Sequence, residues 1–193
     1  MNFIFISPQF PSTYWNFCDR LHRNKVNVLG IGDCPYDALD WRLKKVLTEY
    51  YKVENLGDYG SVFRGVAFFS YKYGKIDWLE SNNEFWLEQD ARLRTDFHIT
   101  TGIGTEGIAR FKSKFRMKEF YKKAGVPSAR CLRVTSPEEV RHFLSEVGYP
   151  VIVKPEIGVG AADTWKLSDE AELEKFLSLP LKVTYVIEEF VEG

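Results

Sequence analysis

The chain has 193 residues, 26 of them basic and 27 acidic, for a formal net charge of -1. That balance excludes a protein whose main task is coating nucleic acid or an anionic membrane. A 45% hydrophobic share, with 16% aromatic residues, excludes disorder and provides for a sizeable core.

In chain order, Met1–Ile6 lacks a basic leader and reads as a first strand, Phe3–Ile6, instead of a signal peptide. Pro8 and Pro11 follow, then an amphipathic helix from Ser12 to Arg23, with Ser12 or Thr13 as its cap and Asn24 as its stop. Val26–Ile31 predicts the second strand, and a β-α-β order at this spacing implies a parallel sheet with a right-handed crossover. The reading continues with a short helix over Tyr36–Arg42, a short strand at Val46-Leu47 and a helix capped by Asp58 running to about Tyr73. A strand at Ile76–Glu80 and a helix at Glu84–Arg94 complete a small doubly wound domain ending near residue 100. Its first turn, Ser7–Pro11, has no glycine where a pyrophosphate needs close backbone approach, so it is not read as a dinucleotide-binding domain. Ser7, Asp33, Glu80 and Asn82 stand at carboxyl ends of strands, where ligands sit in open α/β sheets. Capping of turns and helices is the preferred role for each, and Glu80 and Asn82 are kept as ligand candidates.

The second half changes character. Thr101–Gly107 spells G-x-G-x-x-G, but a weak strand precedes it and no βαβ unit follows, so it reads as a loop joining two domains. A helix over Phe111–Ala124 ends at Gly125-Val126-Pro127, and a strand at Arg130–Val134 follows. Ser136-Pro137-Glu138-Glu139 opens a helix that stops at Gly148. Strands at Pro150–Pro155, Thr164–Leu167 and Thr184–Phe190, with a helix starting at Ser168-Asp169-Glu170, make an α+β lobe of about 90 residues.

Lys154 is the most informative residue. It ends an apolar strand beside the loop Pro155–Asp163, and a lysine bordering a buried run needs an anion. Gly158, Gly160, Ala161 and Ala162 are small enough to let backbone N–H groups approach an oxyanion, so the stretch reads either as a phosphate-covering loop with its countercharge or as a plain hairpin with a snorkelling lysine. Arg110, Lys114, Lys118 and Lys122 form a basic i+4 stripe, most simply a solvated face, with one member able to point into a ligand cleft. Glu188 and Glu189 are adjacent in a strand and therefore face opposite ways. Three scattered cysteines, Cys18, Cys34 and Cys131, form neither a metal-ligand pair nor a disulfide framework, which points to a reducing cytoplasm. No apolar run approaches the roughly 20 residues that span a bilayer.

Taken together, these stretches resemble the ATP-grasp superfamily, which includes biotin carboxylase, the carbamoyl-phosphate synthetase large chain and D-alanine–D-alanine ligase. The text is most similar to the biotin carboxylase type. Lys114, eleven residues before the glycine of Lys-Ala-Gly-Val-Pro127, resembles that group's first ATP-phosphate lysine, and Tyr149–Lys154 looks like the strand carrying the second. Gly158–Asp163 stands where the glycine-rich lid loop does, although Ala161-Ala162 and Trp165 depart from the family's pattern. Glu188–Val191 looks like the hinge, where backbone groups of Glu189 and Val191 would meet the adenine edge with Glu188 alongside.

The resemblance implies an α/β chain: a small Rossmann-like parallel-sheet domain (pre-ATP-grasp), residues 1–104, followed by an α+β ATP-grasp N-terminal lobe, residues 105–193, ending at the inter-lobe hinge. It implies ATP, with Mg2+ held by ligands outside this chain, and phosphoryl transfer to a small-molecule carboxylate that an amine or thiol then attacks. On this reading the chain is the N-terminal fragment of a cytoplasmic ligase, inactive by itself, with no nucleic-acid or membrane partner, whose parent is compatible with a homo-oligomer. The alternative is a non-enzymatic nucleotide- or partner-binding module.

Overall fold

The structure is a computed structural model describing residues 1–158 and 163–192. It divides into two compact units, Met1–Ile108 and Ala109–Gly193. No helix among the described residues is long and apolar enough to cross a membrane.

In the first unit, β1 (Asn2–Ile6), α1 (Trp15–Arg23), β2 (Asn27–Gly32), α2 (Trp41–Val46), β3 (Glu49–Lys52), α3 (Tyr59–Tyr73), β4 (Trp78–Glu80) and α4 (Leu87–Asp96) build a four-stranded sheet in the order β3-β2-β1-β4. Every pairing is parallel, with Ile4 opposite Leu29 on one side and Leu79 on the other. Alternate residues of β1 feed two cores. Ile4 and Ile6 join Leu29, Ile31, Val62, Val66, Phe69 and Leu93 on one face, while Phe5 joins Val28, Cys18, Leu39, Leu43 and Val46 on the other. Burial on both faces is why β1 reads as an unbroken apolar run.

Several expectations are corrected here. Neither Ser12 nor Thr13 caps α1: its N-cap is Tyr14, with no side-chain bond, because the chain enters through a turn closed by Tyr14 N donating to Pro11 O at 2.9 Å. Tyr36–Arg42 is not one helix. A 3-10 turn covers Tyr36–Ala38, and Asp40 starts α2 by accepting from Arg42 N. Val46 closes that helix, where it shares the core with Leu43 one turn earlier, so the strand begins at Glu49 and not at Val46-Leu47. The helix expected over Glu84–Arg94 is a 3-10 turn, Glu84–Trp86, capped by Asn83, followed by α4.

The unit boundary falls within α5 (Thr105–Lys112). The second unit continues with α6 (Lys114–Lys123), β5 (Cys131–Arg133), α7 (Pro137–Val147), β6 (Val151–Pro155), β7 (Trp165–Leu167), α8 (Glu170–Leu177) and β8 (Tyr185–Glu189). The helix expected over Phe111–Ala124 is broken at Ser113, which takes an extended conformation and caps α6 by accepting from Arg116 N at 3.1 Å. The break separates Arg110 from the stripe that Lys114, Lys118 and Lys122 share. Ser136 and Asp169 cap α7 and α8 as their sequences imply. The sheet order is β5-β8-β6-β7, all antiparallel. One face, carrying Val151, Val153, Leu167 and Ile187, packs on Val140, Phe143 and Leu144 of α7 and on Leu173 and Phe176 of α8. Period-two alternation puts Ile152, Lys154 and Glu188 on the other face.

Candidate functional site

That second face gathers the charged residues. Ile152 is in register with both Glu188 and Lys166, and Cys131 with Glu188, so the four form one row across the sheet. Lys154 Nζ donates to Glu188 Oε2 at 2.9 Å. Lys118 of α6 reaches the same oxygen at 3.4 Å and donates to Ala129 O at 2.9 Å. The Glu188 side chain is only 8% exposed, and its Oε1 is buried with no hydrogen-bond partner among the described residues. Two ammonium groups against one carboxylate leave this face with a surplus positive charge. The Cys131 thiol is pushed up to about 12 by burial and then by the Glu188 charge, and stays protonated. Lys118 and Cys131 also border a groove of about 930 Å³ between α6, the 125–131 connection and α7.

Lys114 lies one turn before Lys118 on α6, and its Nζ donates to Gly158 O at 3.0 Å. Gly158 follows β6 in the connection to β7, while Gly160, Ala161 and Ala162 lie outside the described residues. The structure therefore brings Lys154 and Glu188 together and sets Lys114 against the root of the loop. Glu189 is turned elsewhere. Its carboxylate accepts from Arg130 N at 2.8 Å and Arg130 Nε at 2.6 Å, and these bonds, backbone first, hold it below the usual carboxylate range. Its own N–H donates to Arg130 O at 3.1 Å. Val191 is exposed beyond the end of β8, and next to it the Phe190 ring lies 4.2 Å from Lys166 Nζ.

Three members of this face escaped the sequence reading as site residues: Lys118, Ile152 and Lys166. The four-residue spacing from Lys114 marks the first. The alternation of β6 marks Ile152, and its cross-strand partner on β7 follows from it.

In the first unit, Glu80 is held by Arg94, whose Nη2 lies 2.7 Å from Glu80 Oε2 while Nε and Nη1 donate to Leu79 O and Ile103 O, each at 2.9 Å. Asn82 takes a left-handed φ of 53° and accepts from the Tyr14 hydroxyl through its carbonyl. Asp33 accepts from Gln9 Nε2 at 2.9 Å. Each of these residues is engaged in turn or ion-pair structure. The G-x-G-x-x-G text is likewise architectural at its first glycine. Gly102 has φ +81°, and a Cβ there would lie 2.9 Å from Arg94 Nε. Asp90, behind Ser81, is fully buried and accepts from Ser81 N at 3.0 Å and Ser81 Oγ at 2.6 Å.

Residues 111–192 match the family described as carbamoyl-phosphate synthase L chain, ATP binding domain. The chain is 31% identical over 131 residues to alanine–anticapsin ligase of Bacillus subtilis (strain 168), covering 61% of this chain and 28% of the relative. It is 33% identical over 96 residues to the N-terminal section of the carbamoyl phosphate synthase large chain of Methanopyrus kandleri, covering 48% of this chain and 17% of the relative. It shares its fold with the N5-carboxyaminoimidazole ribonucleotide synthetase of Thermus thermophilus (TM-score 0.73, 18% identity, 100% of this chain and 47% of that one). The same holds for the L-amino acid ligase of Bacillus licheniformis (TM-score 0.70, 16% identity, 100% and 44%). The chain thus spans under a third of these curated relatives and under half of these solved structures. The similarities support the ATP-grasp superfamily and an α/β fold with a parallel sheet.

Proposed function

We propose that these residues supply one side of the ATP site of an ATP-dependent carboxylate–amine or carboxylate–thiol ligase. Residues 1–104 correspond to a Rossmann-like domain and 105–193 to an ATP-grasp N-terminal lobe. The observation that carries this reading is the Lys118–Glu188–Lys154 cluster. Its surplus positive charge suits an anion, and the unpartnered Glu188 Oε1 suits a donor such as the exocyclic amine of adenine. Buried oxygens without a partner are uncommon and call for a donor, whether from a water, an ion or a ligand group.

Lys114 and Lys154 would neutralise phosphate oxygens with backbone amides of Gly158, Gly160, Ala161 and Ala162, and backbone groups of Glu189 and Val191 would meet the base. As the γ-phosphoryl group passes to a carboxylate oxygen, charge spreads over the phosphate oxygens, and fixed cations stabilise that state. The acyl phosphate so formed is open to attack by an amine or thiol, with phosphate leaving. Among the described residues no group of three His, Cys, Asp or Glu is placed to hold a metal ion, so no step is assigned to a metal held here. A chain carrying only this side of the site is expected to bind ATP weakly and to turn nothing over.

The test is titration of the 15N-labelled chain with ATP to millimolar concentration. Amide shifts at Lys114, Lys154, Glu188 and Val191 are expected. No shift, or shifts confined to residues 1–104, would overturn the proposal.

A further inference from the structure

Glu156 follows β6 two residues after Lys154, beside a loop read as covering phosphate. By charge alone it belongs elsewhere, since a bare carboxylate there would repel an anionic ligand. The structure shows where that charge goes. Glu156 is 7% exposed, and Arg133 of β5 grips its carboxylate with a fork, Nε to Oε2 at 2.8 Å and Nη2 to Oε1 at 2.6 Å. The Ser113 hydroxyl donates to the same Oε1. Arg133 is in turn packed 4.6 Å over the Phe115 ring. Burial pushes the Glu156 carboxyl up, but the bonds from Arg133 and Ser113 and the charges of Arg133 and Arg116 outweigh it and leave it below the usual range. The group is ionised and neutralised from within the fold.

Its backbone is equally engaged. Glu156 O accepts from Lys114 N at 3.1 Å, and Glu156 N donates to Thr184 O at 2.9 Å. Lys114 is therefore tied to the loop twice, by its amide to Glu156 and by its ammonium to Gly158 O. Three segments meet at one residue: the first turn of α6, the edge strand β5 and the approach to β8.

We infer that Glu156 is a positioning residue of the nucleotide site, fixing the first turn of α6 against the Glu156–Gly158 segment that follows β6 so that Lys114 faces the phosphates, with Arg133 cancelling its charge. This rests on the proposed ATP site. It assigns Glu156 and Arg133 no contact with the nucleotide.

The charge cancellation makes the inference testable by a double-mutant cycle on ATP affinity in the 193-residue chain, read by NMR titration. Glu156→Gln removes the charge and the two-oxygen fork with Arg133 while leaving the backbone bonds of residue 156 in place, and about a tenfold weakening is expected. Arg133→Gln leaves the carboxylate bare beside the phosphates and is expected to weaken ATP binding further. Glu156→Gln added to Arg133→Gln should recover part of that loss. Should Arg133→Gln fail to fold, Arg133→Lys keeps the charge but loses the fork, and its loss should fall below that of Glu156→Gln. Equal losses in both single variants with no recovery in the double, or no loss in Glu156→Gln, would overturn the inference while leaving the ATP site standing. Absence of ATP binding by the unmutated chain would instead remove the proposed function, and the inference with it.

Discussion

Lys154 reaches diagonally across the sheet to Glu188. Its own register partner on β8 is Val186, yet its ammonium lies 2.9 Å from the carboxylate of the residue opposite Ile152. A cation placed this way is held over the centre of the sheet face instead of following its strand outward. The pair is part-buried, with 26% and 8% of the side chains exposed, so removing one partner strands a desolvated charge and is costly.

Replacing Glu188 with Gln therefore leaves two lysines facing each other without an anion. A loss of about 1–3 kcal/mol in the stability of the second unit is expected, measured by urea unfolding. Lys154→Met should cost less, because Lys118 remains to pair the carboxylate.

Ser113 accepts from Arg116 N as the cap of α6 and donates to Glu156. Ser113→Ala removes both bonds. A destabilisation of about 1–2 kcal/mol is expected by thermal or chemical denaturation, and Ser113→Asp should not restore stability, since its carboxylate would meet that of Glu156.

Asp90 is pushed up to about 7, by burial first and then by the Glu80 charge, against the opposing Ser81 hydrogen bonds. A carboxyl whose folded value is raised holds its proton longer in the folded chain. Its contribution to stability is thus full below about pH 4 and lost as pH rises through about 7. Unfolding free energies measured from pH 5 to 8 should fall by up to about 1.4 kcal/mol per pH unit from this group. Asp90→Asn, which keeps the acceptor for Ser81, should flatten that slope.

Gly102 has φ +81° and faces the Arg94 guanidinium, which is held by Leu79, Glu80 and Ile103 and cannot swing aside. Gly102→Ala is expected to lower the thermal midpoint of the first unit through a cost of about 1 kcal/mol or more. Gly74→Ala, with φ +80° but open space around it, should cost less and separates strain from the clash.

Much of this was legible in the text because it depends on local rules. The two-sided burial of β1, the caps at Asp58, Ser136 and Asp169, the stops at Gly125 and Gly148 and the alternation of β6 are all set by neighbours in sequence. Val46 misled because a short apolar pair serves a helix end as well as a strand, and only the packing of Leu43 decides between them. The break at Ser113 was hidden by helix-forming residues on both sides. What fixes it is Glu156, 43 positions away. Arg133 was hidden for the same reason, since its partner Glu156 comes from beyond β6, a strand that is not its neighbour in the sheet.

The sheet of the second unit carries its two five-residue strands, β6 and β8, inside and its two three-residue strands, β5 and β7, outside. A three-residue border offers little free backbone for a neighbouring molecule to extend, and Lys166 adds a charged side chain to the β7 border. The same arrangement that sets Ile152 and Glu188 on its two central strands thereby guards the sheet against growing into fibrils from its sides.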